Sequence, residues 1–225
     1  MPVYNEEEAV ASVIEEWQKC LSENLRNGYT FCILNDGSKD NTLSILKEYS
    51  SRYPEIRVID KPNSGHGQTC IYGYKLALEN NAEWVFQIDS DGQCAPEYFP
   101  KFVAAAEQYK VIYGYRKTRD DGFKRSVISR FVTVFTFFAT GQWVRDANVP
   151  YRLIHRSVME KITGKVPPTF HLANILVSVL AKKEAGIKWI NIHFRDRVGG
   201  TPSVKTISFV KHGFTLFRQL KEASS

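Results

Sequence analysis

The apolar positions of this chain change period as it runs. Short apolar runs at 30–34, 56–60, 83–88, 111–115 and 187–193 have the length and composition of buried strands. Between the first of these, apolar residues recur every three or four positions: Val10, Val13, Ile14, Trp17 and Leu21, then Leu43, Leu46 and Tyr49, then Ile71, Tyr74 and Leu78. Such stripes predict helices, the second over 41–52, the third over 68–79, and a fourth from Pro96 to about 109. Asn5, followed three residues later by Glu8, predicts a capping box opening the first helix. Strand and helix alternating over the first 110 residues is the pattern of an α/β fold with a doubly wound parallel sheet.

Beyond 115 the alternation breaks. Residues 116–122 read as a charged loop, and 123–138 as a helix that is basic at its start and aromatic afterwards. A polar loop at 146–152 precedes a short strand at 153–154, with helices at 157–162 and 169–183. After a loop at 195–203, Ser203 is placed to cap a basic amphipathic helix. The expected organisation is one domain over 1–203 and a C-terminal helix over 204–225.

The run at 83–88 stops on Asp89, Ser90, Asp91, Gly92 and Gln93. Residues i and i+2 of an extended chain point the same way, so Asp89 and Asp91 can converge on one hard cation such as Mg²⁺ or Mn²⁺. The competing reading is a polar turn, for which Asp and Gly are suited. A calcium loop fails on spacing, because its sixth and twelfth positions would be Cys94 and Lys101. In open α/β sheets ligands bind beyond the carboxyl ends of the strands. The loops at 35–40, 63–67 and 89–93 are therefore expected to line one crevice.

Charge adds a partner class. The 225 residues carry a net charge of +6, and the basic excess gathers in the second half. That suggests phosphate, a membrane surface or nucleic acid, and no nucleic-acid-binding motif accompanies it. Cys20, Cys32, Cys70 and Cys94 are scattered, as in a cytosolic protein with reduced thiols. No signal peptide is expected, and no apolar run approaches the roughly 20 residues of a spanning helix. Phe131, Phe135 and Phe138 follow helical spacing behind Lys124, Arg125 and Arg130, which fits either a core helix or one resting on an anionic bilayer.

Four motifs name a family. Pro-Val-Tyr-Asn-Glu-Glu at 2–7, Asn-Asp-Gly-Ser-Lys-Asp-Asn-Thr at 35–42, Asn-Ser-Gly-His-Gly at 63–67 and Asp-Ser-Asp at 89–91 stand in the order and spacing of the family 2 glycosyltransferases. The chain resembles that family, which implies the GT-A fold: a Rossmann-like, doubly wound, mostly parallel sheet flanked by helices on both faces. Gly-Tyr-Arg at 114–116 and the stretches 146–152 and 195–203 resemble the branch of dolichol-phosphate mannosyltransferases and polyprenyl-phosphate glycosyltransferases.

The resemblance implies a metal-dependent, inverting transfer of a hexose from a nucleotide sugar, of GDP-mannose or UDP-glucose type, to a polyprenyl phosphate. Pro2, Tyr4, Asn5, Glu6, Asp36, Gly65, Gly67, Asp89 and Ser90 are then donor contacts, with Asp36 toward the base. Asp89, Asp91 and Gln93 hold Mg²⁺ or Mn²⁺. Arg116, Arg152, Arg195, Arg197 and Ser203 are candidates for the acceptor phosphate, since guanidinium groups pair bidentately with phosphate. Asp91, Arg152 and Asp146 form the expected catalytic set, Asp146 orienting an arginine in preference to acting as a base.

The chain departs from the family pattern at Asn35, where the family usually has Asp, and at His66, a phosphate contact or a solvent-facing residue. Only Met1 precedes Pro2 where the family has a central strand, so a truncated start is expected. Alternatives are a saccharide or cell-wall hydroxyl acceptor, or nucleotide-sugar binding without turnover. The implied setting is cytoplasmic and peripheral to a membrane, and no sequence feature sets an oligomeric state.

Overall fold

The computed structural model describes residues 1–25, 28–119, 123–167, 170, 173–198, 217 and 220–222, with backbone alone for 119 and 123–129. Among them seven strands and seven helices follow in chain order: β1 (Pro2–Val3), α1 (Val10–Asn24), β2 (Phe31–Asn35), α2 (Thr42–Arg52), β3 (Ile56–Asp60), α3 (His66–Glu79), β4 (Trp84–Gln87), α4 (Phe99–Ala105), β5 (Val111–Arg119), α5 (Phe123–Thr140), β6 (Arg152–His155), α6 (Arg156–Thr163), α7 (Ala173–Ala185) and β7 (Lys188–Phe194). A 3-10 turn at Pro96–Tyr98 leads into α4.

The strands form two hydrogen-bonded groups, β1-β2-β3 and β4-β6-β5-β7. The first is parallel throughout. In the second, β5 and β7 are parallel, and β6 runs against both β4 and β5. The sheet is thus mostly parallel, as expected, with β6 as its reversed member. Helices pack in two sets, α1 with α2 and α3 with α6 and α7.

The end of β4 is held by rings. Trp17 of α1 lies 5.5 Å from Phe86 and 5.8 Å from Tyr151, and Phe86 lies 4.9 Å from Phe99. Trp17 is buried, so its truncation to Ala is worth about 3–5 kcal/mol. This cluster fixes the strand three residues before Asp89.

Two local expectations are overturned. The charged stretch expected as a loop from 116 continues β5 as far as Arg119, because β7 supplies backbone partners from Ile112↔Lys188 to Arg119↔Phe194. The capping box does not form. α1 begins only at Val10, after Ala9, and the Asn5 side chain, at a left-handed φ of 53°, instead accepts from the Lys39 amide at 2.8 Å.

Helix α5 buries Val132, Thr136 and Ala139 and turns Phe131, Val134, Phe137 and Phe138 outward, beside an exposed Trp143. Phe135, which the sequence left open between a core and a bilayer-facing position, is half-buried and meets Phe217 at 5.6 Å. Among the described residues, no helix is long and apolar enough to cross a membrane. Ser203 and most of the helix expected over 204–225 lie outside the described residues, of which 220–222 are helical.

Candidate active site

The first wall is built by loops that satisfy each other's backbone. Glu6 N donates to Thr42 Oγ1 at 2.9 Å, Asn5 N to Ser38 Oγ at 3.0 Å, and Asn41 N to Glu7 Oε2 at 2.9 Å. The motif at 2–7 is thereby laced to the motif at 35–42. Gly37 adopts φ +68°, and a Cβ there would lie 3.0 Å from Asn63 N, so glycine allows the 61–63 strand exit to approach. Asp36 organises that exit. Its carboxylate accepts from Ser64 N and Gly65 N, each at 2.9 Å, and from Lys61 Nζ, while Asn63 Nδ2 donates to its carbonyl at 2.8 Å. Burial alone raises its pKa, but the Lys61 and Ser64 hydrogen bonds outweigh this and hold the carboxyl below its ordinary value. Asp36 is 3% exposed, so the predicted base contact is turned into the 61–65 loop.

The second wall is the end of β4. His66, at the start of α3, sets Nε2 2.9 Å from Asp89 Oδ1, with Nδ1 3.5 Å from Asn174 Nδ2. The ionised Asp89 carboxylate only accepts, so Nε2 carries the proton in this pair. Loss of water opposes charge on His66, but Asp89 outweighs it and raises the imidazole pKa. Asp89 moves the other way: burial raises its pKa, but the His66 charge and hydrogen bond outweigh it and lower the carboxyl below its ordinary value. Asp91 differs: burial and then the neighbouring Asp89 charge push it up to about 6. Glu6 is pushed up to about 7, first by burial, with Arg197 pulling the other way.

Two crowded, desolvated carboxylates of which one is disfavoured as an anion form a donor set short of positive charge. Oxygen ligands of this kind suit Mg²⁺ or Mn²⁺. Among the described residues, no group of three or more His, Cys, Asp or Glu stands close enough to hold a metal by itself. The residues fit a cation that completes its shell with substrate oxygens and water. Gln93 lies beside the pair, its Nε2 donating to Arg195 O at 3.0 Å.

The arginines separate. Arg152 is fully buried: Nε donates to Val149 O at 2.8 Å, Nη1 to Asn174 O at 3.1 Å and Nη2 to Ala147 O at 3.4 Å, with the guanidinium 4.9 Å from the Tyr113 ring. Its predicted contact with an acceptor phosphate is corrected to a cation under the floor of the site, beside Gln87 and favouring ionised Asp89. Arg195 is corrected too, since its Nη1 pairs with Glu16 of α1 at 3.0 Å. Arg116 donates bidentately to Asp146, Nε to Oδ2 at 2.7 Å and Nη2 to Oδ1 at 2.6 Å. Asp146 thus holds the Arg116 guanidinium through both carboxylate oxygens. Arg197 reaches the site, bonding Glu6 and standing 3.6 Å from Asp91. Pro2 and Val3 form β1, Tyr4 is half-buried beside it, Ser90 is buried between the aspartates, and Gly67 lies in the first turn of α3.

The sequence reading missed Lys61 and Asn174. Lys61 lies two residues before the recognised motif at 63–67, whose Asn63 bonds Asp36, whereas Asn174 sits in a helix with no local sign of its reach to His66.

With this geometry in hand, comparison with known proteins identifies the class. Glycosyl transferase family 2 matches residues 1–163, and the chain belongs to that family. It is 29% identical over 163 residues to the undecaprenyl-phosphate 4-deoxy-4-formamido-L-arabinose transferase of Proteus mirabilis (strain HI4320), a match covering 71% of this chain and 49% of that one. The chain thus spans about half the length of that relative. It is 28% identical over 239 residues to the uncharacterized glycosyltransferase YkcC of Bacillus subtilis (strain 168), covering all of this chain and 69% of that one. Among solved structures, glucosyl-3-phosphoglycerate synthase from Mycobacterium tuberculosis in complex with Mn²⁺, UDP and phosphoglyceric acid superposes with a TM-score of 0.70 at 16% identity, over 100% of this chain and 76% of that one. The fold is GT-A and the enzyme class is glycosyltransferase.

Proposed function

We propose that this chain is the catalytic domain of a metal-dependent, inverting transferase that moves a hexose from a nucleotide sugar to the phosphate of a polyprenyl carrier. The observation that carries the reading is the Asp89–Asp91 pair at the end of β4, in which His66 favours the ionised Asp89 while burial and the Asp89 charge push Asp91 up to about 6. Support for the acceptor comes from the relatives named for undecaprenyl phosphate.

Asp89 and Asp91, with Gln93 as a third candidate ligand, hold Mg²⁺ or Mn²⁺ in this reading. Such an ion supplies Lewis acidity that stabilises the charge on a departing nucleoside diphosphate. His66 orients Asp89 through its Oδ1. The 61–65 loop shaped by Asp36 and the start of α3 border the donor, the helix N-terminus favouring a diphosphate. A phosphate oxygen of the carrier attacks the anomeric carbon, a C–O bond forms, and the bond to the nucleoside diphosphate breaks with its electron pair leaving on that product. The phosphate is already an anion at neutral pH, so no general base is required. Asp146, occupied by two Arg116 donors, supports this reading over a hydroxyl acceptor, which needs one.

In this account the enzyme works from the cytoplasmic face, with the exposed Phe131, Val134, Phe138 and Trp143 against the bilayer and Arg130 and Arg145 near its headgroups. The test is a panel of UDP- and GDP-hexoses with Mn²⁺ and undecaprenyl phosphate. Label passing into the organic phase is expected. Label passing into a saccharide instead, or nucleotide binding without transfer, contradicts the proposal.

A further inference from the structure

The chain leaving β7 doubles back along the carboxylate loop. Arg195 N donates to Gln93 O at 3.2 Å, Gln93 Nε2 donates to Arg195 O at 3.0 Å, and Val198 N donates to Asp91 O at 3.0 Å. Cys94 and Phe194 add an antiparallel bridge just before this strap. Gly92 adopts φ +76°, and a Cβ there would stand 2.7 Å from Val198 Cγ2, so glycine is what lets the two segments lie together.

The strap delivers one charge to the site. Arg197 Nη2 bonds Glu6 Oε1, and Nη1 stands 3.6 Å from Asp91 Oδ2. A guanidinium here bridges a carboxylate of the 2–7 motif to one of the 89–91 motif. A divalent cation using Asp91 must approach the same carboxylate, and two positive groups beside one partly buried oxygen repel strongly.

We propose that Arg197 and a divalent cation compete for Asp91, with Glu6 holding the guanidinium in the competing position. Entry of the cation releases the 195–198 strap from the 91–93 loop and leaves Arg197 able to pair with phosphate oxygen. Arg197 is in this sense a positioning residue whose partner changes as the site fills. The inference rests on reading Asp89 and Asp91 as a cation site.

The test is Mn²⁺ affinity of the full chain without nucleotide, read from the free-ion electron paramagnetic resonance signal in wild type and Arg197→Gln. Competition of ordinary strength makes the variant bind Mn²⁺ about 5-fold to 100-fold more tightly. A folded variant with equal or weaker affinity overturns the competition. Should the variant fail to fold, hydrogen exchange of the wild type decides. Faster exchange at the Val198 amide on adding Mn²⁺ is expected, and unchanged or slower exchange overturns the idea. Wild type that binds Mn²⁺ with UDP while the variant shows no tightening defeats the competition alone. If neither protein binds Mn²⁺, with or without UDP, the functional reading falls and the competition with it.

Discussion

Asn35 and Asp60 face one another across β2 and β3, and the Asn35 amide donates to the Asp60 carboxylate at 2.7 Å. The family usually carries Asp at this first position of the motif, which here would set two carboxylates in contact. Asn35 is 1% exposed, so a charge placed there gains no water.

Asn35→Asp is therefore expected to cost about 1–3 kcal/mol in urea unfolding, through the lost donor and the repulsion. Adding Asp60→Asn should restore most of it, since the amide and carboxylate have then exchanged places. Equal stability of Asn35→Asp and wild type contradicts this account of the departure.

The two corrected arginines predict opposite outcomes. Arg152→Ala empties a fully buried side-chain site and takes the Arg152 donor from Val149 O, while Ser178 Oγ still reaches Ala147 O and Asn174 O, and should lose about 2–5 kcal/mol in thermal or urea unfolding. Arg195→Ala removes a pair with Glu16 that is largely open to water, worth at most about 1 kcal/mol, and should leave transfer intact. A stable Arg152→Ala that merely fails to use acceptor would return Arg152 to the phosphate.

Acid stability should report Asp36. Its folded pKa is depressed, so its contribution is present above the unfolded value of about 3.9 and is lost as pH falls through the folded value. The gap in urea midpoint between wild type and Asp36→Asn is expected to be full at about pH 6 and to close from about pH 4 downward. A gap constant down to about pH 3 would contradict the hydrogen-bonded, ionised state.

Membrane contact is tested by flotation with phosphatidylglycerol vesicles. Wild type is expected to float, less so in high salt, and Phe138→Asp, at a residue 73% exposed, should weaken flotation without changing the melting temperature. Phe135→Asp should lower the melting temperature instead, because Phe135 packs inward. Undiminished flotation of Phe138→Asp removes this surface.

Much of this was legible because the signals are local. Apolar runs marked β2, β3, β4 and β7 within a few residues, and Asp89 and Asp91 stood out because they end such a run. The outer half of β5 was hidden, since charged residues gain their strand character from pairing with β7, which no local pattern records. Arg152 misled for a related reason. A charge within a motif suggests phosphate, and only folding brings Ala147, Val149, Asn174 and Tyr113 around it. Asn5 failed as a cap because its partner, Lys39, comes from a different loop.

The central claim is that Asp89 and Asp91 bind a divalent cation together with a nucleoside diphosphate. Isothermal titration of UDP and GDP into wild type and Asp91→Ala, with Mn²⁺ and with EDTA, addresses it most directly. Losing a residue that merely supports a ligand costs about 10-fold to 100-fold in metal affinity, so losing a ligand should cost at least about 100-fold. The account predicts nucleotide binding by wild type that requires Mn²⁺ and is lost in Asp91→Ala. Binding that is equally tight in EDTA, or that survives in Asp91→Ala, would contradict it.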